Sequence, residues 1–331
     1  MNRWLILFLN FLFSAKVAST QLDPFIWTAE KEGKTSYILG TAHTGISLKE
    51  IPCSDAVSKK IQNSDLLLLE TKTKNDFEKL SEEEKQKLFI GSVKEQEEIM
   101  SKLSQKTQDT IKERKIIMTH IIKDMFSHHY ESAGNEAWAE LSLESQNFLT
   151  NHGADKEESY ANLIYFINCI AYYKAYYSLP SLDKQVKQMA LSHFVKIESM
   201  DHNKKINEDF SSKTSSNKPR MLVSRSDVEG AIKEIESLTG LYQQIFLNTA
   251  RLYQLYDANA FLFNHNLDET ILLKNRNELW LKNFLKTHEK YENIFITASL
   301  KHFIGEHNML DMLKGEGFSV ERMTCSNTEP F

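Results

Sequence analysis

Three side chains stand just beyond short apolar runs: His43 after Tyr37-Ile38-Leu39, Glu70 after Leu66 to Leu69, and His302 after Asn293 to Ala298. Two neutral imidazoles and one carboxylate suit a borderline divalent cation, Zn²⁺, or Mn²⁺ or Co²⁺ with added oxygen ligands and waters. With an open coordination position such an ion lowers the pKa of a bound water and polarises a carbonyl, which is hydrolytic chemistry. The chain holds 11 histidines. A loop imidazole is more often a cap or a surface group than a ligand, so the residue types alone leave both readings open.

For the three to meet, the runs must be strands whose carboxyl ends share one edge. Thr35 to Thr71 reads as strand, helix, strand, the helix marked by Ala56 and Ile61 with Lys59 and Lys60 outward. Joined in parallel by the usual right-handed crossover, the two strands bring His43 and Glu70 to one crevice. Residues 25 to 31 and 35 to 41 flank Glu32-Gly33-Lys34, a hairpin turn. Asn293 to Ala298 reads as a buried strand, Glu306 to Lys314 as a helix and Phe318 to Met323 as the last strand. TSYILGTAH and NIFITASLKH share one design, a strand, a small residue, two more residues and a histidine, which suggests a duplicated unit.

The centre differs in character. Asn75 to Lys115, Ile116 to Tyr130, Ala137 to Leu149 and Tyr160 to Tyr177 carry helical spacing, and Asp183 to Phe194 is an amphipathic helix leading to a strand at Val195 to Ile197. Ser211 to Lys218 is the most loop-like stretch, and Asp227 to about Leu285 is helical again. The expected fold is α/β, a mixed sheet built from both chain ends with a large helical insertion. A single domain is expected over residues 20–331, with 20–74, 181–204 and 262–331 as its α/β core and 75–180 and 205–261 as helical insertions.

With 11 Gly and 5 Pro among 331 residues, composition favours a helix-rich protein over a sandwich. The net charge of −5 carries no basic surplus, so no nucleic-acid partner is expected. Arg3, the apolar run Trp4 to Phe13 and small residues at Val17, Ala18 and Ser19 form an export signal over residues 1–19, cut after Ser19. The expected location is periplasmic or secreted, with anchoring by an uncleaved signal as the alternative. The run is short for a membrane span, and none is expected once the signal is removed. Cys169 reads as a buried thiol, while Cys53 and Cys325, flanking the outer elements, are placed to bridge one sheet edge in an oxidising compartment. Neither an H-E-x-x-H helix, a G-x-S-x-G elbow, a phosphate loop nor a dinucleotide glycine motif is present.

In order along the chain, LGTAHTG, DLLLLET, SLDKQVKQMALSHFVKIESM, NRNELW and ASLKHFIGEHNMLDMLKGEGFSVERM resemble the TraB/PrgY/GumN family. That family includes the Tiki proteases and is related to the erythromycin-esterase and ChaN-like group. The resemblance covers both ends and residues 181 to 200; residues 75 to 178 and 205 to 260 match only as generic helix. It implies that His43, in a G-x-x-H motif opened by Gly40, and His302 are metal ligands. Glu70 is implied as a ligand or as the carboxylate that activates water. Arg276, followed by Asn277, resembles the family's Arg-Asn pair and would steady an oxyanion or grip a substrate carboxylate; a surface ion pair is the plain alternative. Glu198 matches a family carboxylate and is either a site residue or the end of a structural strand. Glu306 and His307 fall behind the ligands or at a helix start. Ser299 stands where the family's second motif has Gly, and a position needing positive φ would strain it.

The resemblance implies a metal-dependent hydrolase, peptidase-like, with a peptide or small-molecule amide or ester as substrate. Ser299 lends support to a non-catalytic peptide-sequestering protein of the pheromone-shutdown type. An esterase-like hydrolase is the third alternative.

Overall fold

The computed structural model describes residues 23–70, 77, 79–112, 130–132, 137–156, 158–201, 221–262 and 269–325. Strand β1 (Ile26–Lys31) turns into β2 (Lys34–Thr41) through Glu32 and Gly33, at φ 55° and 77°. Positive φ at both turn residues gives the tight hairpin whose twist matches its strands. Lys34 already pairs with Lys31, so the turn is one residue shorter than expected. Helix α1 (Ser54–Gln62) buries Val57 and Ile61, and β3 (Leu66–Leu69) is buried along its whole length. Four consecutive leucines suit a strand covered on both faces.

The helical centre comprises α2 (Glu82–Ile90), α3 (Val93–Ser101), β4 (Tyr130–Ser132), α4 (Ala137–Glu140), α5 (Leu143–His152) and α6 (Tyr160–Ser178). The expected helix Ala137 to Leu149 is broken at Leu141, because the Ser142 hydroxyl caps a new helix by accepting from the Ser145 amide. Tyr130, expected to close a helix, opens β4, which pairs in parallel with β6 (Met221–Val223). Then follow α7 (Leu182–Ser192), β5 (Lys196–Ser199), α8 (Arg225–Lys233), α9 (Ile235–Gln254), α10 (Ala258–Leu262), α11 (Glu269–His288), β7 (Asn293–Ser299), α12 (Met309–Gly315) and β8 (Ser319–Arg322). Strand β5 ends two residues later than expected, and α12 begins after Glu306 and His307 rather than with them. The loop expected at Ser211 to Lys218 and the export signal at 1–19 lie outside the described residues.

The six-stranded sheet runs β5-β3-β7-β2-β1-β8. Strands β5, β3, β7 and β2 are mutually parallel, and β1 is antiparallel to both β2 and β8. This is the expected mixed α/β sheet assembled from both chain ends, with helices inserted between. The sequence echo becomes a neighbour relation, since β2 and β7 lie side by side with Thr41 opposite Ser299. Their core joins Ile38, Leu39, Leu66 to Leu69, Ile294 to Ile296, Trp280 and Phe284, while Leu149, Tyr160, Ile167 and Tyr242 belong to a separate helical cluster. Helix α9 serves both: Tyr242 packs in the helical cluster, and Tyr253 reaches the sheet to donate its hydroxyl to the Gly40 carbonyl at 2.8 Å. Cys53 and Cys325 are joined as a disulfide, Cα atoms 5.6 Å apart, and Cys169 is buried on α6. Among the described residues no helix is long and apolar enough to cross a membrane.

Candidate functional site

Four parallel strands end at one edge, with Thr41 beside Ser299, and Leu69 between Thr297 and Ser199. His43 lies two residues beyond β2 in a turn at φ 58°. That turn is held from the α7 side: Ser181 donates to the His43 carbonyl at 2.7 Å, and the Thr44 hydroxyl and Gly45 amide donate to the Pro180 carbonyl at 3.1 and 2.8 Å. Gly45, at φ 89°, is pressed against α9; a Cβ there would stand 3.0 Å from that of Ala250 and 3.1 Å from the Phe246 carbonyl oxygen. His302 ends a short 3₁₀ turn, Leu300–His302, that springs directly from Ser299. Glu70 follows β3 at once, its amide donating to the Thr297 carbonyl at 3.2 Å.

Each imidazole has its Nδ1 committed and its Nε2 turned inward. Nδ1 of His43 lies 2.6 Å from Asp183 Oδ2, and because an ionised carboxylate only accepts, Nδ1 carries the proton. Nδ1 of His302 lies 2.7 Å from Asn277 Oδ1. The Asn277 amide nitrogen donates to the carbonyls of His302 and His307 at 3.2 and 2.9 Å, which fixes the amide oxygen as the acceptor facing the ring. The two Nε2 atoms then face opposite oxygens of one carboxylate: His43 stands 3.8 Å from Glu70 Oε2 and His302 stands 3.9 Å from Oε1. Nε2 of His302 is buried with no hydrogen-bond partner. His43 keeps 41% of its side-chain surface open and His302 none, so the site is entered from the His43 side.

Helix α11 supplies the opposing wall. Arg276, Asn277, Trp280 and Asn283 recur at helical spacing and face the strand ends. Arg276 meets Glu70 Oε1 through Nη1 at 2.7 Å and grips Asp201 through Nε and Nη2 at 3.2 and 2.6 Å. Trp280 donates its indole N–H to Asp201 Oδ1 at 2.6 Å and packs its ring against His302, centroids 4.1 Å apart. Asn283 donates to the Met200 carbonyl at 2.8 Å.

These neighbours set the charges. Burial works against an ionised Glu70, but Arg276, the two imidazoles and the Ser299 amide outweigh it and hold the carboxyl well below its usual range. Burial, reinforced by the Arg276 charge, pushes His302 down to about 3 against the pull of Glu70, so this ring is neutral at any ordinary pH. For His43 burial also disfavours the cation, yet Asp183 and Glu70 prevail and raise its pKa.

The other residues singled out in the sequence fall as follows. Ser299 has φ −51°, a conformation open to any residue, so no strain attends it in place of Gly. Its amide donates to Glu70 Oε2 at 3.2 Å. Gly40 lies under the 3₁₀ turn, where a Cβ would meet Leu300 Cδ1 at 2.7 Å. Glu198 pairs with Lys196 at 2.8 Å. Glu306 and His307 are exposed, His307 touching the site through its carbonyl alone. Asp183, Asp201 and Trp280 were not foreseen as site residues. Asp183, second in α7, reads as an ordinary acid favoured by a helix N-terminus. Asp201 lies two residues past β5, as His43 does past β2; the strand was expected to end at Ile197, and the family resemblance singled out Glu198 instead.

Among the described residues no group of three His, Cys, Asp or Glu side chains already converges closely enough to hold an ion. No curated protein and no solved structure matches the chain. The sequence profile of one family does match, over residues 25–322, from the first strand of the sheet to the end of the last. By that match the chain belongs to the TraB/PrgY/gumN family.

Proposed function

We propose that the chain is a metal-dependent hydrolase acting on a peptide or other amide bond. The observation that carries this is the inward pair of Nε2 atoms facing one carboxylate, with the buried Nε2 of His302 lacking any partner. A buried polar atom without a partner is costly, and a neutral imidazole whose Nδ1–H is held by an amide or carboxylate is prepared as a metal donor through Nε2. The donor types fit a divalent cation held by His43, Glu70 and His302. The gaps of 3.8 and 3.9 Å are wider than ligands of one tetrahedral ion stand, so loading requires these side chains to draw together. Such an ion supplies Lewis acidity and a water of lowered pKa.

The chain's own groups do the rest. Asp183 and Asn277 keep both rings aimed. Arg276 keeps Glu70 ionised, which suits it to hold a cation better than to accept a proton near neutral pH, where a base of matched pKa works best. Three of the five guanidinium N–H groups are spent on Glu70 and Asp201. The remaining two are the groups that would steady charge developing on a substrate oxygen. The open flank of His43 admits the substrate.

The choice of peptide or amide rests on the family resemblance. Panels of peptides and esters, run with the zinc-supplemented chain and with His43→Ala, test it. Peptide cleavage abolished by chelator and by His43→Ala supports the proposal; cleavage of esters alone would replace it with an esterase, and no turnover would leave the sequestering protein.

A further inference from the structure

Asp201 touches neither histidine nor Glu70, yet it lies at the junction of the groups that hold them. Its Oδ1 accepts from the Trp280 indole at 2.6 Å and from Arg276 Nε at 3.2 Å, and its Oδ2 accepts from Arg276 Nη2 at 2.6 Å. One branch continues from Arg276 to Glu70 at 2.7 Å. The other continues from Trp280 to the His302 ring, whose plane lies 34° from the indole's. The two branches also touch, since the guanidinium carbon stands 4.7 Å over the indole. The base of the junction is rigid: the Asp201 amide donates to Ser199 Oγ at 3.1 Å, and Asn283 holds the preceding carbonyl.

We infer that Asp201 is a positioning residue, one carboxylate at the end of β5 that sets Glu70 through Arg276 and His302 through Trp280. Charge balance for Arg276 does not by itself account for the arrangement. An indole N–H is neutral, and its short bond to Oδ1 fixes the rotation of the ring that packs on His302. Only a carboxylate offers acceptors to all three donors. An asparagine of the same shape has one acceptor oxygen and would turn its own N–H groups toward Arg276 or Trp280.

The functional meaning of this inference rests on the metal-dependent reading above, and the test separates the two. Full-length wild type, Asp201→Asn, Trp280→Phe and Arg276→Lys are compared by ¹H–¹⁵N spectra of the Trp280 indole and the His302 imidazole. Those signals are assigned by their loss in Trp280→Phe and His302→Ala. The chains are then titrated with Zn²⁺ alone. Asp201→Asn is expected to shift both signals together and to weaken zinc binding about tenfold or more, as loss of a supporting partner does. Trp280→Phe should shift His302, whereas Arg276→Lys should leave His302 nearly in place while weakening zinc binding. His302 signals unmoved in Asp201→Asn would overturn the inference, whether or not zinc binds. A wild-type chain that takes up no zinc while the coupled shifts occur would instead refute the metal reading and leave the positioning role standing.

Discussion

Oδ2 of Asp183 lies 2.6 Å from Nδ1 of His43, although 140 residues separate them in sequence. In the neutral ring this pairing leaves the lone pair on Nε2, which points toward Glu70. Asp183→Asn keeps the side-chain shape and removes the charge. It should lower zinc affinity and peptide hydrolysis about 10- to 100-fold with little change in melting temperature. Zinc titration and initial rates check this, and an unchanged affinity would contradict it.

Gly40 sits under the turn that carries His302. A methyl group there would fall 2.7 Å from Leu300 Cδ1 and 3.2 Å from Leu300 Cα. Gly40→Ala should therefore destabilise the fold by about 1–3 kcal/mol through overpacking. Combined with Leu300→Ala it should cost less than the two single changes together, because the nearer clash is gone. Urea denaturation of the four proteins measures that coupling; strict additivity would mean that the two sites do not press on each other.

His288 closes α11 with its side chain buried against Phe284 and Phe318, and its Nε2 has no partner. Burial, then the nearby Lys34 charge, lowers its pKa from the usual 6.5. The unfolded chain thus takes up a proton near pH 6.5 that the folded chain refuses, and stability falls as pH drops below that value. The loss in urea midpoint between pH 7.5 and 5.5 should be smaller in His288→Phe than in wild type. Equal losses would show that His288 does not carry this dependence.

The disulfide between Cys53 and Cys325 spans 272 residues and ties the start of α1 to the segment after β8. Closing so long a loop restricts the unfolded chain, and Cys325→Ser should cost about 2–5 kcal/mol. Intact mass should rise by two hydrogen atoms on reduction, and the melting temperature should fall. A mass unaffected by reductant would rule the bridge out.

The sequence made the sheet legible where apolar runs ended in chemically distinct residues. Leu66 to Leu69 before Glu70, and the paired designs ending at His43 and His302, marked strands whose ends had to converge. On the wall opposite, only the family resemblance marked Arg276 and Asn277, and nothing marked Trp280, because helical periodicity does not say which face of α11 turns inward; that depends on packing against α12 and the turn Leu300–His302. Asp183 was masked by doing two jobs at once, since an acid at a helix start needs no partner to explain it. Asp201 escaped through a strand boundary off by two residues, an error that Ile197-Glu198-Ser199 invites because alternating burial in β5 continues past the apolar residue. Ser299 illustrates the reverse case: the residue type suggested strain, and the backbone, extended at that point, removes it.

If His43, Glu70 and His302 hold one divalent ion, as proposed, metal uptake must depend on all three. Equilibrium dialysis of the purified chain against Zn²⁺, with metal counted by emission spectrometry, tests it directly on wild type, His43→Ala, Glu70→Gln and His302→Ala. The expected result is one ion per wild-type chain and none retained by any of the three variants at the same free zinc. A wild-type chain that binds no metal, or variants that bind it as tightly, would contradict the account.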